Sequence, residues 1–137
     1  MARIGKQTFS GCAIKSIKIP NSVTSIEEQA FVGCSLLENV EMSNSITSIG
    51  NRAFYGCAKL RSVDLSSSIT SIGDSTFAER YELQSIEIPN SVTSIGDSAF
   101  RVCLSLTEII IHKPEDSITG AKWGADSSVQ VTWTGEN

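Results

Sequence analysis

Apolar and polar positions along this chain recur in short bursts at a fixed interval. The segment Asn21-Ser22-Val23-Thr24-Ser25-Ile26 returns at 44–49, 67–72 and 90–95, each time 23 residues on. Four full units follow, 21–43, 44–66, 67–89 and 90–112, preceded by a partial unit at 1–20 that is one residue short between Cys12 and Ile14. Residues 113–137 break the pattern. One apolar column reads Phe9, Phe31, Phe54, Phe77, Phe100, and a second reads Ile14, Leu37, Leu60, Leu83, Leu106. Two more run Ile17, Val40, Val63, Ile86, Ile109 and Ile19, Met42, Leu65, Ile88, Ile111. No single unit can bury such residues, but stacked units bury them as one continuous core. The pattern therefore predicts a solenoid.

Within a unit, Leu-x-x-Ile-x-Ile carries the period-2 alternation and β-branched content of a strand, ending at Pro20, Pro89 or a Ser/Asn turn. Stacked in register, these strands make a parallel sheet at roughly 4.8 Å spacing. Val-Thr-Ser-Ile alternates as well and predicts a short second strand. The stretch between the two, as in Asn51-Arg52-Ala53-Phe54-Tyr55-Gly56-Cys57, is too short for an independent helix and has the wrong period for a strand. A turn of helix or 3-10 structure with Phe pointing inward is expected there.

Composition removes several function classes. The chain has 137 residues, the size of one domain, with 40% hydrophobic and 19% charged residues, ordinary for a soluble protein. The longest run of the kind a bilayer needs is Ile109-Ile110-Ile111, far below the roughly 18 residues of a span, so no membrane insertion is expected. Eleven Lys+Arg against fifteen Asp+Glu give a net charge of -4, and no basic block is visible, which argues against nucleic acid as a partner. The start, Met1-Ala2-Arg3-Ile4-Gly5, lacks the apolar core of a secretory signal and enters a repeat almost at once. Natural solenoids usually cap that end, so the expectation is a surface or secreted protein whose signal and earlier repeats were removed, with an intracellular protein as the alternative.

The run Ile-Gly-Asn-Arg-Ala-Phe-Tyr-Gly-Cys-Ala-Lys-Leu-Arg-Ser-Val-Asp-Leu at 49–65 resembles the 23-residue leucine-rich repeats of the BspA-like (Treponema pallidum type) family, and the resemblance extends over 4–112. It implies a mainly β repeat solenoid: a leucine-rich-repeat arc with a parallel β-sheet on the concave face and short strands or 3-10 turns on the other side. The array would span 1–112 and a capping segment 113–137. It also implies a surface or secreted protein used for adhesion to host or microbial proteins, but it transfers no binding residue, because such families share the framework and vary the surface. The third unit departs from the pattern, with Glu79-Arg80 where the second has Gly56-Cys57. A buried arginine is costly, so that turn is expected to open outward.

Four cysteines in an exported protein invite a disulfide reading. Cys12, Cys34, Cys57 and Cys103 share one repeat position, however, so their Cβ vectors run parallel into the core and suit a bridge poorly. Buried free thiols are the favoured reading and a Cys34–Cys57 bridge the alternative. Zinc lacks a CxxC, and the single His112 cannot complete a site. Neither a metal, a cofactor nor a catalytic residue is expected. His112 reads as a solvated turn residue, and Trp123 and Trp133 as core of the closing segment.

Alternation places the neighbours of the inward strand residues on the solvent face. Its central ladder reads Lys18, Glu41, Asp64, Glu87, Ile110 and the flanking one Ser16, Asn39, Ser62, Ser85, Glu108. Three carboxylates on consecutive rungs roughly 5 Å apart repel by about 0.8 kcal/mol per pair in water. The fold does not require them. Either they keep an exposed sheet soluble, or they form a stripe that binds a basic protein segment or a cation. A structural spacer that self-associates through the open end near Met1 to Phe9 is the alternative to a binding module.

Overall fold

A computed structural model describes residues 2–79, 82–115, 117–119 and 122–135. In chain order the strands are β1 (Ala2–Ile4), β2 (Ser16–Lys18), β3 (Val23–Ile26), β4 (Asn39–Glu41), β5 (Ser48–Ile49) and β6 (Ser62–Asp64). They continue with β7 (Ser71–Ile72), β8 (Ser85–Ile88), β9 (Ser94–Ile95), β10 (Glu108–Ile111) and β11 (Gln130–Trp133). Val-Thr-Ser-Ile does form the second strand, and β1-β3-β5-β7-β9 make one continuous parallel sheet. The Leu-x-x-Ile-x-Ile strands form two three-stranded blocks, β2-β4-β6 and β8-β10-β11, every pair parallel.

The parallel strands expected on this face are present, with one interruption. Among the described residues no ladder joins β6 to β8. Elsewhere each rung enters the sheet through a backbone bond, Glu38 N–H to Lys15 at 2.7 Å, Arg61 N–H to Glu38 at 3.2 Å and Thr107 N–H to Gln84 at 2.9 Å. The equivalent bond from Gln84 to the Arg61 carbonyl is absent among the described residues. The interruption coincides with the third unit, the one in which Arg80 replaces the cysteine of the other units. Arg80, on which the expectation of an outward turn rests, lies outside the described residues.

Connecting segments are chains of tight turns rather than turns of helix. In the second full unit, Ala53, Tyr55 and Cys57 N–H donate back three residues, to Gly50, Arg52 and Phe54 carbonyls at 3.2, 3.1 and 3.3 Å. The alternate amides, Arg52, Phe54 and Gly56, donate forward to Asp74, Thr76 and Ala78 at 2.9, 3.1 and 3.1 Å. Left-handed φ at Arg52 (57°) and Gly56 (73°) produces that alternation and prevents a right-handed helix from propagating. The one 3-10 turn of the described residues is Lys122–Gly124.

The inward columns are as read. Phe31, Phe54, Phe77 and Phe100 are fully buried, as are Leu37, Leu60 and Leu83. Successive Phe rings stack nearly parallel with centroids 5.1–5.9 Å apart from Phe9 to Phe100. Each such pair contributes about 0.5–1.5 kcal/mol beyond its buried area. Trp123 then closes the stack edge-on at 6.5 Å, its Nε1 donating to Thr119 O at 2.9 Å, and Trp133 packs half-buried against Trp123. Both tryptophans thus belong to the core. After 112 the chain builds a further rung, β11, hydrogen-bonded to β10. None of the four cysteines is in a disulfide, with Cys34, Cys57 and Cys103 buried and Cys12 half-buried. The buried ones donate to the carbonyls of Phe9, Phe31 and Phe77 at 2.9, 3.2 and 3.1 Å.

Candidate protein-interaction face

The two outward ladders form because each strand alternates buried Ile or Val with solvent-facing neighbours, for example exposed-buried-exposed over Ser62–Asp64. Parallel registry then brings like positions together: Ser16, Asn39 and Ser62 align, as do Lys18, Glu41 and Asp64. In the second block Ser85, Glu108 and Gln130 align, and Glu87, Ile110 and Thr132. Sequence position thus predicts the order within each block. It does not predict that the rungs of Asp64 and Glu87 share no ladder among the described residues.

Exposure follows the same division. Ser16, Lys18, Asn39, Glu41, Ser62, Asp64, Ser85 and Glu87 are exposed, whereas Glu108 and Ile110 are half-buried beside the last rung. Side-chain bonds cross-link the flanking ladder, with Ser62 Oγ donating to Asn39 Oδ1 at 2.8 Å and Thr132 Oγ1 to Glu108 Oε2 at 2.7 Å. Among the described residues the carboxylates of Glu41 and Asp64 have no hydrogen-bond or ion-pair partner. Such a pair raises the cost of the bare face and is relieved by any cation that reaches it.

Two residues of this face, His112 and Arg61, were not in the outward ladders. His112 is exposed, as expected of a turn residue, yet it is not merely solvated. Its Nδ1 lies 2.7 Å from Thr134 Oγ1 and its Nε2 2.9 Å from Glu87 Oε1. Arg61 reaches Glu38 one rung back at 3.2 Å. His112 occupies the position after the inward Ile111, where other units have Pro20, Ser43, Ser66 and Pro89. Its column marks the edge of the face, and the reach of its ring across to Glu87 has no sequence signal.

Shallow hollows run along the strands. One of about 430 Å³ is lined by Lys18, Asn39, Glu41, Ser62 and Asp64. The next, of about 390 Å³, sits over the sheet break and includes Ser62, Asp64, Ser85, Glu87 and His112. Ser62 and Asp64 line both, so the two are continuous across β6. Such a surface can grip an extended polar segment. It offers no enclosed pair of groups for acid–base work, and no three His, Cys, Asp or Glu side chains of the described residues cluster to hold a metal ion.

A family profile described as BspA type leucine rich repeat region matches residues 2–122 in six copies. Among solved structures, a leucine rich cell surface protein from Faecalibacterium prausnitzii A2-165 superposes with a TM-score of 0.76 at 34% identity, covering 90% of this chain and 33% of that one. The leucine rich repeat protein of T. pallidum gives 0.69 at 26% identity over 87% of this chain and 51% of its own. A leucine-rich repeat protein from Bacteroides ovatus gives 0.77 at 26% identity over 94% and 39%. The chain thus spans between a third and about half of these proteins. No curated protein matches it.

Proposed function

Because this chain belongs to the BspA-type leucine-rich repeat family, we propose that it is a non-enzymatic protein-binding module of a cell-surface or secreted protein, one that adheres to host or microbial surface proteins through the strand-ladder face. The observation that carries the reading is the contrast between a constant interior and an outward ladder that varies, from Lys18 through the three carboxylates Glu41, Asp64 and Glu87 to Ile110. Repeat scaffolds bind through surfaces of this kind. The F. prausnitzii relative is described as a cell surface protein, which supports the location.

A binding screen against extracellular matrix and bacterial surface proteins, at two salt concentrations, tests the proposal. Retention of a partner that weakens with salt supports it, because exposed carboxylates are screened. Failure to retain any such protein at low salt counts against it.

One observation favours a second reading, a spacer that self-associates end to end. Phe9, Cys12, Ile14 and Ile17 are only half-buried, whereas Phe31, Cys34, Leu37 and Val40 of the next rung are sealed. Light scattering across concentrations separates the two, since a strict monomer removes the spacer.

A further inference from the structure

Side-chain bonds staple the ladder face in two halves. In the first, Arg61 reaches Glu38 at 3.2 Å and Ser62 Oγ donates to Asn39 Oδ1 at 2.8 Å, tying the β6 rung to the β4 rung. In the second, Thr107 Oγ1 donates to Gln84 O at 3.2 Å, His112 Nε2 meets Glu87 Oε1 at 2.9 Å, and Thr132 Oγ1 donates to Glu108 Oε2 at 2.7 Å, tying β8, β10 and β11 in series. Among the described residues no ladder joins β6 to β8, and none of these staples crosses between them.

The same junction is bonded on its other two sides. On the five-stranded sheet Ser48 and Ile49 pair with Ser71 and Ile72, flanked by Thr70 N–H to Thr47 O at 2.9 Å and Gly73 N–H to Ile49 O at 3.0 Å. On the turn side the amides of Arg52, Phe54 and Gly56 all donate forward into the third unit. Between these sides the Phe54–Phe77 step, at 5.9 Å, is the longest of the Phe stack, against 5.2, 5.1 and 5.8 Å for the others. Leu60 and Leu83 are fully buried, so the core is closed beneath the junction.

We propose that the array is two rigid blocks joined by a hinge, with the five-stranded sheet as the pivot and the ladder face opening and closing between β6 and β8. A small rotation there breaks no ladder bond, whereas rotation at any junction inside a block must break ladder bonds and a staple. Amplitude is limited on both sides: opening brings water to Leu60 and Leu83, and closure stops when packed side chains touch. The spacing of outward residues on β6 and β8 is therefore adjustable, while spacings inside each block are fixed. This device belongs to the scaffold and stands whether or not the ladder face binds a protein.

The test uses nitroxide labels on cysteine pairs set two rungs apart, roughly 10 Å of backbone, in a Cys12→Ser chain. Cys34, Cys57 and Cys103 are buried and escape the label. Asn39→Cys with Ser85→Cys spans the junction on the ladder face. Ser85→Cys with Gln130→Cys lies inside the second block, and Thr47→Cys with Thr93→Cys crosses the same junction beside the five-stranded sheet. Should the first pair fail to fold by circular dichroism, Ser62→Cys with Glu108→Cys spans the junction in its place. Electron paramagnetic resonance in frozen solution is expected to give the ladder-face pair a distance distribution roughly twofold broader than either comparator. Equal widths for the junction pair and the pair inside the block mean that the array is one rigid body. Equal widths for the junction pair and the pair beside the five-stranded sheet mean general flexing without a pivot. Either result overturns the proposal.

Discussion

The Asp74 backbone N–H donates to Asn51 Oδ1 at 2.8 Å, one unit back, and Asp97 repeats the bond to Asp74 Oδ1 at 2.9 Å. Both bonds pass over a glycine. A Cβ on Gly73 would stand 2.6 Å from Asn51 N and from its Oδ1, so this glycine is needed for close approach and not for its φ. Gly73→Ala is expected to destabilise the fold by about 1–3 kcal/mol through overpacking, read by urea denaturation. An unchanged midpoint would show that the Gly50–Asn51 backbone shifts to make room at little cost.

Val102 stands where earlier units have Gly11, Gly33 and Gly56, and it holds φ at 57°. A β-branched residue in the left-handed region is strained, and at 39% exposure Val102 gains little burial in return. Replacing it with glycine relieves roughly 1–2 kcal/mol of strain and restores part of that as unfolded-state entropy. Val102→Gly is therefore expected to raise stability by about 0.5–1 kcal/mol, and a fall in the thermal midpoint would contradict the strain argument.

Acidity and access point to different thiols. The Cys57 side chain lowers Cys34 from 9.0 to about 7; burial opposes this, and backbone N–H groups of Cys12 and Gly11 add to it. Cys34 nevertheless has no exposed surface and donates its proton to Phe9 O. Access is expected to decide. Iodoacetamide at neutral pH labels Cys12 first, and Cys34, Cys57 and Cys103 only on unfolding. Native labelling of Cys34 ahead of Cys12 would mean that the first rungs open readily.

The sheet break has a signature in hydrogen exchange. Glu38, Arg61 and Thr107 amides are bonded across their junctions, whereas the Gln84 amide makes no such bond to any described residue. Gln84 should exchange markedly faster than those three under native conditions. Equal protection would mean that β6 and β8 are joined in solution.

Most of the fold was legible because each repeated residue answers to one constraint. Phe54 and Leu60 recur where the stack is sealed, and Val40 and Val63 alternate with outward neighbours as a strand demands. What was not legible depends on relations between rungs. Nothing in Asn51-Arg52-Ala53-Phe54 distinguishes a helical turn from linked turns with alternate amides bonded forward, since that choice is made by the carbonyls of the next unit. The same holds for the site. The order Lys18, Glu41, Asp64 came directly from the 23-residue period. The missing ladder between β6 and β8 among the described residues, and the hold of His112 on Glu87, depend on how neighbouring rungs meet and on Thr134 beside β11.

The claim that the strand-ladder face is the binding surface is tested most directly by moving charge on one face at a time. Glu41→Lys, Asp64→Lys and Glu87→Lys together, compared with Thr47→Lys, Thr70→Lys and Thr93→Lys at the start of three strands of the five-stranded sheet, should be measured against a partner from the surface-protein screen, with circular dichroism confirming that both variants fold. The account predicts that the first set abolishes binding and the second leaves it within about twofold, the scale expected of charges remote from a contact. Binding that survives the ladder-face reversal, or is lost on the opposite sheet instead, would contradict it.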